Sequence, residues 1–150
     1  MSSHQDNNRL TIFIDGASSG NPGPSGIGVI IKRAGEETLV KKEGKFIGNA
    51  TNNVAEYEAL VLGLKEAYKL GCKELVINTD SQLLARQLNG DYKIKSDNLI
   101  PLYREAKNLI SNFNKVVIND VRREVNKEAD KLARHAIKEG IRAGQMVAPM

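Results

Sequence analysis

The sequence predicts an α/β fold in which a mixed five-stranded sheet is flanked by helices. Two observations carry this reading. Up to Phe46 the chain holds three strand-like stretches joined by turns and shows no helical period, as a three-strand antiparallel meander requires. From Ala50 onward, helical periods alternate with short β-rich runs, so the later strands run parallel through helical crossovers.

The elements follow in order. Residues 1–8, rich in Ser, Asn and Gln, read as a disordered lead. The ordered domain spans residues 9–140, and residues 141–150 form a flexible tail. Leu10–Asp15 is the first strand, with Leu10, Ile12 and Ile14 on one face and Thr11, Phe13 and Asp15 on the other. Gly16–Ser25 carries three Gly and two Pro and reads as irregular turn. Gly26–Lys32 is a second, buried strand. Thr38–Phe46, with its lysines and glutamates, is an edge strand. In Ala50–Leu70 the residues Leu60, Leu64, Ala67 and Tyr68 share one helical stripe. Thr51, Asn52 or Asn53 serves as N-cap and Gly71 as the left-handed stop. Glu74–Asp80 is a strand and Ser81–Leu88 a short helix. Asp97–Phe113 is a helix with Pro101 near its start, and Lys115–Val121 the last strand. Asn126–Glu139 is the final helix, with Gly140 as its stop.

Composition narrows the class. Of the 150 residues, 41% are hydrophobic and 27% charged, as in an ordinary soluble domain. No apolar run approaches a membrane span, and the polar start is no signal peptide. A single cysteine, Cys72, excludes an internal disulfide and a cysteine-cluster metal site, and a cytoplasmic setting is expected. The net charge of +4 is compatible with a polyanionic partner.

Four carboxylates fall at element ends: Asp15, Glu56, Asp80 and Asp130. Each has a local explanation. Asp15 closes an Asx-turn, Glu56 completes a capping box with Asn53, Asp80 caps the next helix, and Asp130 complements a helix dipole. Together they suggest a shared site. Gathered carboxylates repel one another unless protonated or neutralised by cations, and oxygen ligands without His or Cys suit Mg²⁺ or Mn²⁺.

The motifs around these acids have a known counterpart. Asp15-Gly16-Ala17-Ser18-Ser19-Gly20-Asn21-Pro22-Gly23-Pro24 resembles the first motif of type 1 ribonuclease H. Thr51-Asn52-Asn53-Val54-Ala55-Glu56 resembles the second, Thr79-Asp80-Ser81 the third, and Asn126-Lys127-Glu128-Ala129-Asp130-Lys131-Leu132-Ala133 the fourth. The order matches over roughly residues 9–139, and the chain is most similar to short bacterial and archaeal members without a hybrid-binding domain. The resemblance implies a ribonuclease H-like fold and an endonuclease that hydrolyses the RNA strand of RNA–DNA hybrids. It also implies a two-metal-ion mechanism leaving 5′-phosphate and 3′-hydroxyl ends. Asp15, Glu56, Asp80 and Asp130 would bind two Mg²⁺ ions, with Mn²⁺ as the alternative. Gly16, Ser18, Asn21, Thr51, Asn52 and Asn53 are the substrate-binding candidates, short side chains and bare backbone permitting close approach to a 2′-hydroxyl or phosphate. Double-stranded RNA stays open as a second partner. A monomer with no membrane partner is expected.

Two departures qualify the match. Many members carry a mobile histidine before the fourth motif, whereas this chain has Val125 there. His4 and His135 are poorly placed to replace it. Arg123 is the candidate for a fixed positive charge near the scissile phosphate. The link Gly90–Ser96 holds only Lys93 and Lys95 where some relatives have a basic, Trp-bearing protrusion. Weaker, more salt-sensitive substrate binding is therefore expected. A nucleoside-triphosphate loop at Gly16–Gly23 is excluded, because no Gly-Lys-Ser/Thr follows. Two rival readings remain: a nuclease for another duplex, which would not need Thr51-Asn52-Asn53, and an inactive binding module, which would not need all four acids.

Overall fold

The computed structural model describes residues 7–144. The elements are β1 (Arg9–Ser18), β2 (Gly23–Arg33), β3 (Leu39–Ala50), α1 (Asn52–Lys69), β4 (Glu74–Thr79), α2 (Gln82–Leu88), α3 (Ile100–Ile110), β5 (Lys115–Asp120) and α4 (Lys127–Arg142). A 3₁₀ turn, Arg123–Asn126, leads into α4. The sheet order is β3-β2-β1-β4-β5. β1, β2 and β3 pair antiparallel, while β4 runs parallel to β1 and to β5. The meander and the parallel half expected from the sequence are both present.

The two sheet faces are built differently. Leu10, Ile12 and Ile14 of β1 join Ile27, Val29 and Ile31 of β2 and Leu75 and Ile77 of β4 in one buried aliphatic layer. α1 covers this layer, and α3 packs on α1. The other face is bare at Gly26 and Gly28 of β2. A Cβ at Gly28 would sit 2.2 Å from the Ala129 carbonyl oxygen, and one at Gly26 2.4 Å from that of Ala133. These glycines let the α4 backbone settle directly on β2 and β3, which places Asp130 beside the end of β1.

Several boundaries differ from the sequence reading, each for a physical reason. The turn expected over Gly16–Ser25 contracts to Ser19–Pro22, because Gly16, Ala17 and Ser18 continue the ladder opposite Ile27, Gly26 and Ser25. Pro24 lacks an N–H, yet its carbonyl accepts from Ser19 N at 2.7 Å. β3 continues beyond Phe46 to Ala50 through a bulge opposite Ser25 and Gly26, where Gly48 takes φ +77°. α3 begins at Ile100 rather than Asp97, with Pro101 in its first turn. Gly140 does not end the last helix. A Cβ there would lie 2.3 Å from Cγ of Phe46, so the glycine admits the Phe46 ring and α4 continues to Arg142.

The expected lead and tail fall largely outside the described residues, at 1–6 and 145–150. Within the lead, the Asn8 carbonyl accepts from Lys73 N at 2.8 Å and Glu74 N at 2.9 Å. Among the described residues no helix is long and apolar enough to cross a membrane.

Candidate active site

Glu56 and Asp80 reach the site because another residue takes the local role open to each. Thr51 Oγ1 accepts from Val54 N at 3.2 Å and caps α1, so Glu56 is free of a capping box. Its Oε1 instead accepts from Gly16 N on β1 at 3.2 Å. Ser81 Oγ accepts from Leu84 N at 3.1 Å and caps α2, which frees Asp80. Asp15 lies on the α4 side of β1, between Phe13 and the buried Ala17, and is only 4% exposed. Asp130 lies in the first turn of α4, and both its carboxylate oxygens accept from Arg134 Nε, at 3.1 Å each.

Carboxylate oxygens of Asp15, Glu56 and Asp80 all lie within 4.8 Å of one another. Asp130 lines the same cleft of about 340 Å³ and adds to the upward push on Asp15, but stands outside that trio. The crowding has an electrostatic cost. Burial first, and then the charge of Glu56, pushes the Asp15 carboxyl up to about 10. Burial first, and then the charge of Asp80, pushes Glu56 up to about 8. Such a cluster holds protons at neutral pH unless cations replace them. Hard, all-oxygen donors at this spacing fit a small divalent ion.

Gly16, Ser18, Asn52 and Arg123 also line the cleft. Asn21, Thr51 and Asn53 do not. Asn21 Oδ1 accepts from Asn52 N at 3.0 Å, which ties the Ser19–Pro22 turn to the start of α1. Thr51 is engaged as a cap, and Asn53 is exposed on the first turn of α1. Val125 is 56% exposed, and His135 lies exposed on α4.

A family model described as reverse transcriptase-like matches residues 13–136. The solved N-terminal RNase H domain of a Mycobacterium tuberculosis protein superposes with TM-score 0.87 and 39% identity, covering 91% of this chain and 98% of that one. RNase H1 from Halobacterium salinarum superposes with TM-score 0.84 and 37% identity, covering 87% and 98%. The chain belongs to the type 1 ribonuclease H family. A third solved member, LC11-RNase H1 in complex with an RNA/DNA hybrid, has TM-score 0.84 and 34% identity and covers 88% and 99%. Against whole curated relatives the chain is shorter. It spans 35% of the bifunctional Mycobacterium tuberculosis protein, at 41% identity over 86% of this chain. It spans 64% of the Halobacterium salinarum Ribonuclease HI, at 37% identity over 86% of this chain.

Three residues with structural weight in this ribonuclease H site escaped the sequence reading as site residues. Arg134 lines the cleft and pairs with Asp130; the signal was its i,i+4 spacing from that acid. Asn126 is buried, and its Nδ2 donates to the Ile14 carbonyl at 2.8 Å, which anchors the entry of α4 to the residue before Asp15. Ala17 lines the cleft floor and gives no sequence signal at all.

Proposed function

We propose that this chain is an endonuclease that hydrolyses the RNA strand of RNA–DNA hybrids, with Mg²⁺ held by Asp15, Glu56, Asp80 and Asp130. The convergence of three carboxylates within 4.8 Å at the cleft carries this reading. When bound, a pair of divalent ions would supply an activated water and charge neutralisation at the departing 3′ oxygen, giving 5′-phosphate and 3′-hydroxyl ends. The protein's own contribution is positional. The parallel pairing of β1 and β4 closes at Ile14 and Thr79, so Asp15 and Asp80 follow directly from adjacent paired positions, and α1 brings Glu56 across Gly16. The exposed Asn52 beside the cleft is a candidate reader of the 2′-hydroxyl, and Arg123 a fixed cation for a backbone phosphate. The RNA/DNA hybrid bound to LC11-RNase H1 supports the substrate assignment.

The test uses labelled RNA–DNA hybrid, RNA duplex and DNA duplex, each with Mg²⁺, Mn²⁺ or EDTA. The expected result is metal-dependent cutting of the RNA strand of the hybrid, abolished by Asp15→Asn. Phosphatase sensitivity and polymerase extension of the products check the two ends. Undiminished cleavage by Asp15→Asn, or in EDTA, overturns the reading.

A further inference from the structure

Among the described residues, Asp130 alone of the four acids is paired with a cation. Arg134, one helical turn further on, aims a single Nε–H between both carboxylate oxygens, 3.1 Å from each. Asp15 and Glu56 have no such counter-charge. The groups acting on them are burial, one another, Asp80, Asp130 and the Gly16 N–H. The pair therefore divides the site: a trio without a protein cation, and a fourth acid with one.

We propose that Arg134 is a positioning residue that stands in for the second divalent cation at Asp130 and sets how tightly that ion binds. This rests on the metal-binding reading of the site given above. The contact geometry suits the role. One N–H shared between two oxygens can surrender one oxygen and keep the other, so Asp130 can turn an oxygen toward an ion while Arg134 still orients it. The pair is also weak enough to yield. The Arg134 side chain is 66% exposed and that of Asp130 31%, so solvent screens the attraction. A buried arginine at this place would exclude the ion, and no arginine would leave Asp130 unneutralised against Asp15. Arg134 thus makes the two ion-binding steps unequal, weakening the one that uses Asp130.

Calorimetric titration of Mg²⁺ and Mn²⁺ into the metal-stripped full chain tests this, with wild type, Arg134→Gln and Arg134→Lys compared at low and high salt. Arg134→Gln is expected to tighten the weaker step roughly two- to fivefold and leave the tighter step unchanged. The Mg²⁺ concentration for half-maximal hybrid cleavage falls by the same factor. Arg134→Lys, which keeps the charge, behaves as wild type, and the difference between Gln and wild type shrinks in high salt. Circular dichroism of the metal-free variants checks that the fold is retained. A wild-type protein that binds metal in the same way as Arg134→Gln overturns the role of Arg134 alone, as does a weaker second step in that variant. A lysine variant matching the glutamine variant overturns the charge argument. A folded wild type that binds no divalent ion overturns this proposal together with the metal reading beneath it.

Discussion

Gly16 N donates to Glu56 Oε1 at 3.2 Å across the closest approach of β1 and α1. A Cβ on Gly16 would fall 2.3 Å from the Ala55 carbonyl carbon and 2.4 Å from Glu56 N. The glycine that looks like part of a loop for an approaching nucleic acid is first of all a seat for a helix. Gly16→Ala must push α1 away from β1 and carry Glu56 with it. The expected outcome is a loss of about 1–3 kcal/mol in denaturant unfolding together with a fall in cleavage rate. Retained stability with retained activity would show that α1 does not depend on this contact.

Asp15→Asn removes a carboxylate that the metal-free fold accommodates poorly. Two opposite effects are expected from one substitution. Hybrid cleavage drops by at least about a hundredfold. The metal-free protein becomes more stable at slightly alkaline pH, by roughly 3 °C in thermal midpoint. A variant less stable than wild type in EDTA would contradict the crowding of the acids.

The pH dependence has a definite sign. Asp15 is raised from 3.8 to about 10 and Glu56 from 4.5 to about 8 in the folded chain, so the folded state holds protons that the unfolded state has lost. Stability from these groups is fully present below about pH 4 and is lost as pH rises through about 8 and then about 10. Thermal midpoints in EDTA are expected to fall between mildly acidic and alkaline buffer. Mg²⁺ flattens the slope, because it replaces the protons. A midpoint that rises with pH in EDTA would refute the assignment.

Asn126 offers a test of how α4 is held to β1. Its Nδ2 is the donor to the buried Ile14 carbonyl, at 2.8 Å. Asn126→Ala leaves that carbonyl without this donor at a cost of about 1–3 kcal/mol. Because Ile14 precedes Asp15 and Asn126 lies one turn before Asp130, kcat is expected to fall more than KM changes. A stability loss with unaltered kcat would confine Asn126 to a structural role.

The acids were legible in the sequence because hydrophobic periodicity marks where strands and helices end, and a carboxylate at such a place stands out. Asp80 after Val76 and Ile77 is of this kind, whereas Asp15, read as a strand end, lies inside β1, which continues to Ser18. The partners of the acids were not legible. Gly16 meets Glu56 over 40 residues and Asn126 meets Ile14 over 112, and no local pattern encodes such pairings. Glycine misled twice for one reason. Gly16 and Gly140 look like a turn and a stop when read locally, but their missing side chains serve a neighbour, α1 in one case and the Phe46 ring in the other. The local work of Asn21 and Thr51 is likewise visible only in the structure, where both hold the start of α1, with Asn21 Oδ1 accepting from Asn52 N and Thr51 Oγ1 from Val54 N.

The glycines of β2 beneath α4 have a consequence for which changes the chain can absorb over time. On the α1 side, Ile12, Val29, Leu64 and Ile77 interlock as branched side chains, and one aliphatic can trade for another with compensation nearby. On the α4 side, Gly26 and Gly28 face carbonyl oxygens of the helix itself, and no neighbouring substitution can shrink a backbone. A saturation library scored for folding should therefore return tolerant and intolerant positions alternating residue by residue over Gly26–Val29 of β2.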